Sequence, residues 1–158
     1  MIICITGTPG TGKTKIAKQL SKKMGLDYCD LNDLIIKNKL YSRYNKKFKT
    51  HEVDIKLLNK FLVKFIKGKN LLIDSHLSHY LPAKYVDFCV VCKCNIKTLK
   101  KRLGKRRYNQ IKIRENLDSE IFDVCLVEAL DNKHKVIVVD TTNKSVKKCV
   151  LDVMKESN

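Results

Sequence analysis

The feature that most constrains this chain is an eight-residue stretch near its N-terminus, GTPGTGKT, at residues 7–14. It matches the pattern G-x-x-x-x-G-K-[ST], in which glycines let successive backbone amides point at phosphate oxygens. The β-branched run MIICIT precedes it, and an amphipathic helical pattern at residues 14–24 follows it. The stretch therefore predicts a phosphate-binding loop between a first strand and a first helix, whose dipole adds positive charge at the loop.

Apolar runs alternate with helical patterns along the rest of the chain. LDYC, NLLID, VDFCVV and KVIVVD predict four further strands, and residues 30–40, 54–67, 96–103, 119–130 and 145–155 predict helices. Residues 40–50 predict an irregular segment. Continuous apolar strands separated by helices indicate a parallel sheet covered on both faces. With right-handed crossovers, we predict a doubly wound, five-stranded α/β fold of the P-loop NTPase class, and 158 residues suit a single domain.

Charge and apolar content narrow the functional class. The formal net charge is +17, from 33 Lys and Arg against 16 Asp and Glu. This charge favours a polyanionic partner such as RNA, although a solvated, lysine-rich surface explains it equally well. No run approaches eighteen apolar residues, so we expect no membrane span. The first residues carry no basic segment of a signal peptide, and we expect a cytoplasmic protein.

The seven cysteines are an odd number, and in a cytoplasmic chain they predict reduced thiols rather than a disulfide framework. Their densest group is Cys89, Cys92 and Cys94. A metal site of this type needs a fourth ligand at matching spacing, and the sequence has no second CxxC. We therefore predict buried or half-buried thiols in or beside a strand.

Four residue types around the predicted loop point to phosphate chemistry. Lys13 is expected to reach the β- and γ-phosphates of a nucleotide, and the Thr14 hydroxyl is expected to bind Mg²⁺. Asp74 ends the apolar run LLID, the position of a carboxylate that holds Mg²⁺ directly or through water. His76 lies two residues later and could orient an attacking water or an acceptor phosphate, with His79 a weaker candidate for the same role.

A cluster of arginines predicts a closing lid. KRLGKRRYNQIKIREN contains Arg102, Arg106, Arg107 and Arg114, which are four of the five arginines in the chain. The planar guanidinium group binds phosphate through two parallel hydrogen bonds and stacks on bases. Because phosphoryl transfer requires cations that close over the phosphates and exclude water, we interpret the cluster as a lid, with a solvated basic helix end as the alternative.

Residues 30–53 stand where a pocket for an acceptor is expected. Arg43 is the only arginine in this segment, so an acceptor phosphate would depend on lysines, which bind it as point charges. The candidates are Lys37, Lys39, Lys46 and Lys47.

Four stretches resemble, in order and spacing, the adenylate kinase isoenzyme 6 family, the compact branch found in archaea and eukaryotic nuclei. They are ITGTPGTGKT, DLNDLIIKNKLY, LLIDSH and KRLGKRRYNQIKIRENLDSEIFDVCLVEAL. The resemblance implies a nucleoside monophosphate kinase-like fold, with a monophosphate region at about residues 30–53 and a short lid at about residues 105–115. It also implies transfer of phosphate from ATP to AMP with Mg²⁺, and ATP hydrolysis. The family acts in small ribosomal subunit maturation, so a small-subunit ribosomal protein and rRNA become candidate partners.

The same resemblance assigns residues to roles. It implies nucleotide-binding residues at the loop and its helix, a lid arginine at Arg106, and the family's Asp-x-His pair at Asp74 and His76. Arg107 stands where the family often has glycine, which would stiffen the lid hinge or strengthen its grip on anions. The nucleotide-binding residues so implied are Gly10, Gly12, Lys13, Thr14 and Lys15.

Three functions remain open from the sequence. The first is a nucleoside monophosphate kinase that uses ATP and Mg²⁺. The second is a ribosome-assembly ATPase in which nucleotide binding switches a complex, motivated by the +17 charge. The third is another small-molecule kinase, for which DLND at residues 30–33 would hold a hydroxyl acceptor, although these residues also suit a helix start.

Overall fold

The computed structural model describes residues 1–46 and 50–157, and a five-stranded parallel sheet forms its centre. The seven strands of the described residues are β1 (Ile2–Thr6), β2 (Asp27–Asp30), β3 (Tyr41–Asn45), β4 (Thr50–Val53), β5 (Leu71–Asp74), β6 (Phe88–Lys93) and β7 (Val136–Asp140). The strands of the central sheet lie in the order β2-β5-β1-β6-β7, with every neighbouring pair parallel, and β3 and β4 form a separate antiparallel pair. The predicted fold class is confirmed.

Helices cover both faces of the sheet because each buries an apolar stripe. One face packs on α1 and α7 and the other on α2, α3 and α6, while α4 and α5 pack together beyond the end of β6. Strands that are buried on both sides are mostly apolar, and β1 and β5 are apolar up to their last residues, Thr6 and Asp74. The helices of the described residues are α1 (Lys13–Met24), α2 (Leu31–Lys37), α3 (Ile55–Phe65), α4 (Ile96–Gly104), α5 (Gln110–Ile121), α6 (Val124–Asp131) and α7 (Val146–Ser157).

Side-chain caps fix where the helices around the cavity begin. Asp30 ends β2 and caps α2, accepting hydrogen bonds from the backbone N–H groups of Asn32 and Asp33 at 2.9 and 3.3 Å. Asn109 caps α5 by accepting from the N–H of Lys112 at 2.8 Å. Such caps satisfy amides that have no partner within the helix. The chain therefore turns sharply at the carboxyl end of the sheet, where ligands bind in this fold class.

The irregular segment predicted for residues 40–50 is wrong. Residues 41–45 and 50–53 pair as a hairpin, with Arg43 donating to the Glu52 carboxylate at 2.5 Å. Tyr41 and Val53 face each other at the open end of the hairpin, and both pack against the core. Aromatic and β-branched residues suit such a half-buried sheet surface, and that signal outweighs the basic composition of the segment. Lys47, a predicted phosphate ligand, lies outside the described residues.

The single helix predicted over residues 119–130 is also wrong. A helix already starts at Gln110, and it is interrupted at Phe122 and Asp123, which separate α5 from α6. Asp123 adopts a left-handed conformation with φ of 52° and forms an ion pair with Lys93 at the end of β6. A left-handed residue cannot continue a right-handed helix. The break turns α6 back onto the sheet.

No helix among the described residues is both long enough and apolar enough to cross a membrane. All seven cysteines are free thiols, and Cys89, Cys92 and Cys94 are buried as predicted. Burial raises the pKa of the Cys89 and Cys94 thiols. These side chains contribute to the core and its edge as small apolar groups.

Candidate active site

The loop at residues 7–14 packs so closely on its surroundings that two of its glycines have no substitute. Gly7 has φ of 139°, and a Cβ there would collide with the carbonyl oxygen of Cys92. Gly10 has φ of 97°, and a Cβ there would lie 2.9 Å from the Leu99 side chain and 3.0 Å from that of Leu103. The loop therefore rests directly on the end of β6 and on α4.

Hydrogen bonds fix the shape of this loop. The Thr8 carbonyl accepts from the Thr11 N–H at 3.2 Å and from the Thr11 hydroxyl at 2.8 Å. The Thr11 carbonyl in turn accepts from the Thr141 hydroxyl at 2.6 Å and from Arg102 at 3.3 Å. These bonds turn the Thr8 and Thr11 carbonyls toward protein donors and hold the loop in one conformation.

One cavity of about 860 Å³ brings the predicted site residues together. Lys13 and Thr14 line it from the start of α1, Asp74 and His76 from the end of β5, and Arg106 from the turn between α4 and α5. Its volume lies within the range of about 300–1,000 Å³ that is typical of ligand sites. The remaining predicted nucleotide-binding residues, Gly10, Gly12 and Lys15, line the same cavity.

Lys13 and Asp74 line the same cavity, and their opposite charges attract each other. Burial lowers the pKa of the Lys13 ammonium group, and the Asp74 charge opposes this shift. Asp74 is 3% exposed, and its Oδ2 accepts a hydrogen bond from the Tyr28 hydroxyl at 2.9 Å. Its Oδ1 is buried and, among the described residues, has no hydrogen-bond partner. A carboxylate oxygen held in this way fits a divalent cation, and the Thr14 hydroxyl on the same cavity could be a second oxygen ligand.

His76 is half-buried and carries no charge at neutral pH. Burial, assisted by the positive charges of Lys13 and Lys112, lowers its pKa to about 4. A neutral imidazole can accept a proton from a bound group. His79 is buried instead, with its ring nitrogens bonded to the Thr6 hydroxyl at 2.8 Å and the Glu128 carboxylate at 2.9 Å. His79 does not line the cavity, and it contacts the site through Glu128, which does.

The four clustered arginines separate into different environments. Arg106 is exposed and lines the cavity. Arg102 is held by Thr141, to whose hydroxyl and carbonyl it donates at 3.0 Å each. Arg114 is 84% exposed and faces Asp118 at 3.8 Å. Arg107 occupies the left-handed region at φ of 54°, where a glycine is less strained. The fold therefore does not bring all four arginines to the large cavity. Of this cluster, only Arg106 lines it.

The described part of the predicted acceptor segment brings an acid and an amide to the cavity, and no cation. Asp30 and Asn32 line the cavity, whereas Arg43 pairs with Glu52 in the exposed hairpin. Lys37, Lys39 and Lys46 are exposed and do not line it.

Sequence reasoning missed the opposite wall of the cavity. There α5 presents Lys112, Glu115, Asn116 and Ser119, and α6 presents Glu128. The four α5 residues are spaced i, i+3, i+4 and i+7, which places them on one helical face. That spacing was the signal available in the sequence, although it does not distinguish a site from a solvated face.

A second cavity of about 280 Å³ adjoins the first at the loop. It shares Gly10, Gly12, Lys15 and Arg106 with the large cavity. Its other lining residues are Thr11, Ile16, Arg102, Thr141, Lys144, Val146 and Cys149. Because Arg106 lines both spaces, a ligand on the loop would contact it from either side.

Acid should destabilise this region through its histidines. Burial lowers the pKa of His76 to about 4 and also lowers that of His79. Because both pKa values lie below the unfolded value of about 6.5, the unfolded chain binds more protons than the folded chain as pH falls below 6.5, so stability falls with pH. In the presence of a chelator, we expect the free energy of unfolding to fall by about 1–2 kcal/mol between pH 7.5 and 5.5. Thermal unfolding followed by circular dichroism measures it, and an unchanged or higher midpoint at pH 5.5 would contradict it.

Comparison with known proteins relates this arrangement to a family. The chain matches a family model described as an AAA domain over residues 3–123. A Pyrococcus furiosus protein named "Putative adenylate kinase" is 41% identical over 98% of this chain and 82% of its own length. Proteins of the same name from Thermococcus kodakarensis and Methanocaldococcus jannaschii are each 39% identical, over 98% of this chain and 84% of their own lengths.

Among solved structures, a shikimate kinase from Bacteroides thetaiotaomicron matches with a TM-score of 0.66. The match covers 99% of this chain and 97% of that one at 15% sequence identity. At this identity the likeness concerns the fold, which is the P-loop kinase-like arrangement described above.

Proposed function

The chain belongs to the AAA-domain family and to the family of the archaeal proteins named "Putative adenylate kinase". From this membership we propose that it transfers the γ-phosphate of ATP to AMP or another nucleoside monophosphate. The observation that carries the proposal is the large cavity of about 860 Å³. It joins the phosphate-binding loop, Asp74, His76 and Arg106 to a second wall on α5. A donor on the loop and an acceptor on the opposite wall would share one space shielded by the same side chains. We also propose that residues 1–158 act as one P-loop kinase domain.

Positioning and charge neutralisation would accomplish the transfer. The loop amides and Lys13 bind the β- and γ-phosphates of ATP, and Arg106 closes on them from the turn before α5. Thr14 and Asp74 would hold Mg²⁺, which neutralises charge on the phosphates when bound. The Tyr28 hydroxyl orients the Asp74 carboxylate by donating to its Oδ2. No covalent intermediate is needed, since the acceptor phosphate oxygen attacks in line.

The two remaining ligand groups have places beside the loop. We assign the base of ATP to the 280 Å³ cavity, and the flat guanidinium groups of Arg102 and Arg106 and the apolar side chain of Val146 support this assignment. His76, neutral at pH 7, can accept a hydrogen bond from the acceptor phosphate or from water and orient it.

A coupled assay tests the function directly. ADP formation from Mg²⁺ and ATP is measured with each nucleoside monophosphate and with ATP alone. The proposal expects strong stimulation by AMP, with two ADP formed for each AMP consumed. Turnover that is indifferent to every monophosphate would refute a monophosphate kinase.

A second candidate is an ATPase that works in small ribosomal subunit maturation, as in the adenylate kinase isoenzyme 6 family that the sequence resembles. Two observations favour it: the acceptor segment brings no arginine to the cavity within the described ranges, and the net charge is +17. Water could then replace the acceptor, and a small-subunit ribosomal protein or rRNA would be the partner. Binding to a small-subunit rRNA fragment should weaken steeply as salt rises. Binding that ignores salt would contradict an electrostatic contact.

Lys112 is the cation best placed for the acceptor phosphate. It lines the large cavity, its charge acts on His76, and its ammonium group lies 4.4 Å from the centre of the Tyr108 ring. We expect Lys112→Gln to raise the KM for AMP about tenfold or more, because a charged hydrogen bond to phosphate is worth about 1.5–3 kcal/mol. The KM for ATP should change less than threefold. Lys100→Gln, on the exposed side of α4, is the matched control. An unchanged KM for AMP would remove Lys112 from the acceptor site.

A further inference from the structure

Glu120 is a buried carboxylate that joins two parts of the fold. The Thr8 hydroxyl donates to its Oε2 at 2.6 Å, and the Cys94 backbone N–H donates to its Oε1 at 2.8 Å. Glu120 is 7% exposed, Cys94 5% and Thr8 1%. Both carboxylate oxygens are therefore used, one by the phosphate-binding loop and one by the residue that follows β6.

This arrangement is costly for stability alone. No ion pair to Glu120 occurs among the described residues, so its charge is compensated by two neutral donors. Burying a carboxylate whose hydrogen-bond donors are all neutral is more costly than burying an apolar side chain. A glutamate at this place is therefore better explained by what it positions than by the stability it adds.

Helix α5 connects Glu120 to the rest of the cavity. The helix begins just after the turn that carries Arg106, and its Lys112, Asn116 and Ser119 line the cavity. Glu120 is the next residue after Ser119, about 100° around the helix, and it points instead at the loop. Helix α5 thus contacts the phosphate-binding loop through Glu120 and lines the large cavity with its neighbouring face.

We propose that Glu120 is a positioning residue that fixes the phosphate-binding loop relative to α5 through the Thr8 hydroxyl. The inference rests on the proposed function, because the two substrates would be held by the two elements that Glu120 connects. The Thr8 carbonyl receives both bonds from Thr11, so a shift of Thr8 moves the whole loop. Losing the connection misaligns donor and acceptor by a fraction of an ångström, which lowers kcat more than it weakens binding of either substrate.

The test uses a double-mutant cycle on the full chain. Thr8→Val removes the donating hydroxyl with little change of volume, and Glu120→Ala removes the acceptor. We expect each to lower kcat about tenfold or more, with the KM for ATP changed less than threefold. The double variant should lose no more than the worse single variant, because both delete one interaction.

Conservative variants separate positioning from folding. Thr8→Ser keeps the hydroxyl and should restore most of kcat. Glu120→Gln, whose amide can donate to the Thr8 oxygen while its carbonyl accepts from Cys94, should retain more than Glu120→Ala. Asp118→Asn, on the exposed side of α5, is the matched control. Thermal unfolding confirms that each protein is folded at the assay temperature.

The outcomes are distinct. Wild-type ADP formation with AMP is measured first, and its absence refutes the proposed function and not this inference, which is then tested on turnover of ATP alone. Additive losses in the cycle would overturn the role of Glu120. So would a kcat within twofold of wild type for folded Thr8→Val, or a loss confined to the KM for ATP.

Discussion

Replacing Lys13 with alanine should abolish ADP formation from ATP and AMP, with kcat/KM falling about 10³-fold or more. Lys13 follows Gly12 at the start of α1, lines the large cavity and shares its floor with Asp74. Burial lowers the pKa of its ammonium group, which means that the folded chain disfavours this charge when no phosphate is present. Removal of the side chain should therefore leave the free protein folded, and the loss of turnover would report on the nucleotide.

The control for this variant lies on the same helix. Lys23→Ala removes an exposed charge from the last turn of α1, far along the helix from the loop, and should change kcat less than twofold. ATP titrations by calorimetry complete the measurement, since Lys13→Ala should weaken ATP binding as well as turnover. A Lys13→Ala protein that keeps a tenth of wild-type turnover would show that phosphoryl transfer does not depend on this loop.

The sheet could be predicted from the sequence because its signals are local. Four of the five central strands, β1, β5, β6 and β7, are mostly apolar runs, and GTPGTGKT fixes which run comes first. Parallel strands that are buried on both faces cannot alternate with polar residues, so their runs stand out against the helical patterns. Once the strands were known, the carboxyl ends of β1 and β5 had to meet, and Lys13, Asp74 and His76 came together with them.

The hairpin could not be predicted because its signal is not local. β3 and β4 are held by cross-strand pairs such as Arg43 with Glu52, nine residues apart, and by packing of Tyr41 on the core. Neither is visible in a segment whose composition is basic and polar. Similarly, the break between α5 and α6 depends on the left-handed Asp123 and its ion pair with Lys93, thirty residues earlier in the chain.

Composition and spacing alone do not separate the arginines of the basic cluster, although the family resemblance singles out Arg106. Arg102 and Arg106 are four residues apart and chemically identical, yet Arg102 is bound to Thr141, and Arg106 reaches the large cavity. The difference comes from where α4 ends, since Arg102 is within the helix and Arg106 is in the turn beyond it. Glu120 was missed for the same reason, because its partners Thr8 and Cys94 are distant in sequence.

Arg106→Ala is expected to have the second largest effect on turnover, a fall in kcat of about 10³-fold. Arg106 lines both cavities, so its side chain can contact the phosphates and the base of one bound ATP. Its exposure without ligand and its position in a turn allow it to move onto a nucleotide when one binds. Arg106→Lys should recover only part of kcat, because an ammonium group cannot bind phosphate through two parallel hydrogen bonds.

Arg114→Ala is the matched control for this experiment. Its guanidinium group belongs to the same basic cluster, is 84% exposed and faces Asp118 rather than the cavity. Steady-state kinetics with ATP and AMP should give a kcat within twofold of wild type for Arg114→Ala. If the two alanine variants lost activity equally, the net positive charge of the cluster would be responsible, as a polyanion-binding surface requires. A large loss confined to Arg106 instead requires a directed contact, because only a side chain that meets the transferring phosphate discriminates between neighbouring arginines of equal charge.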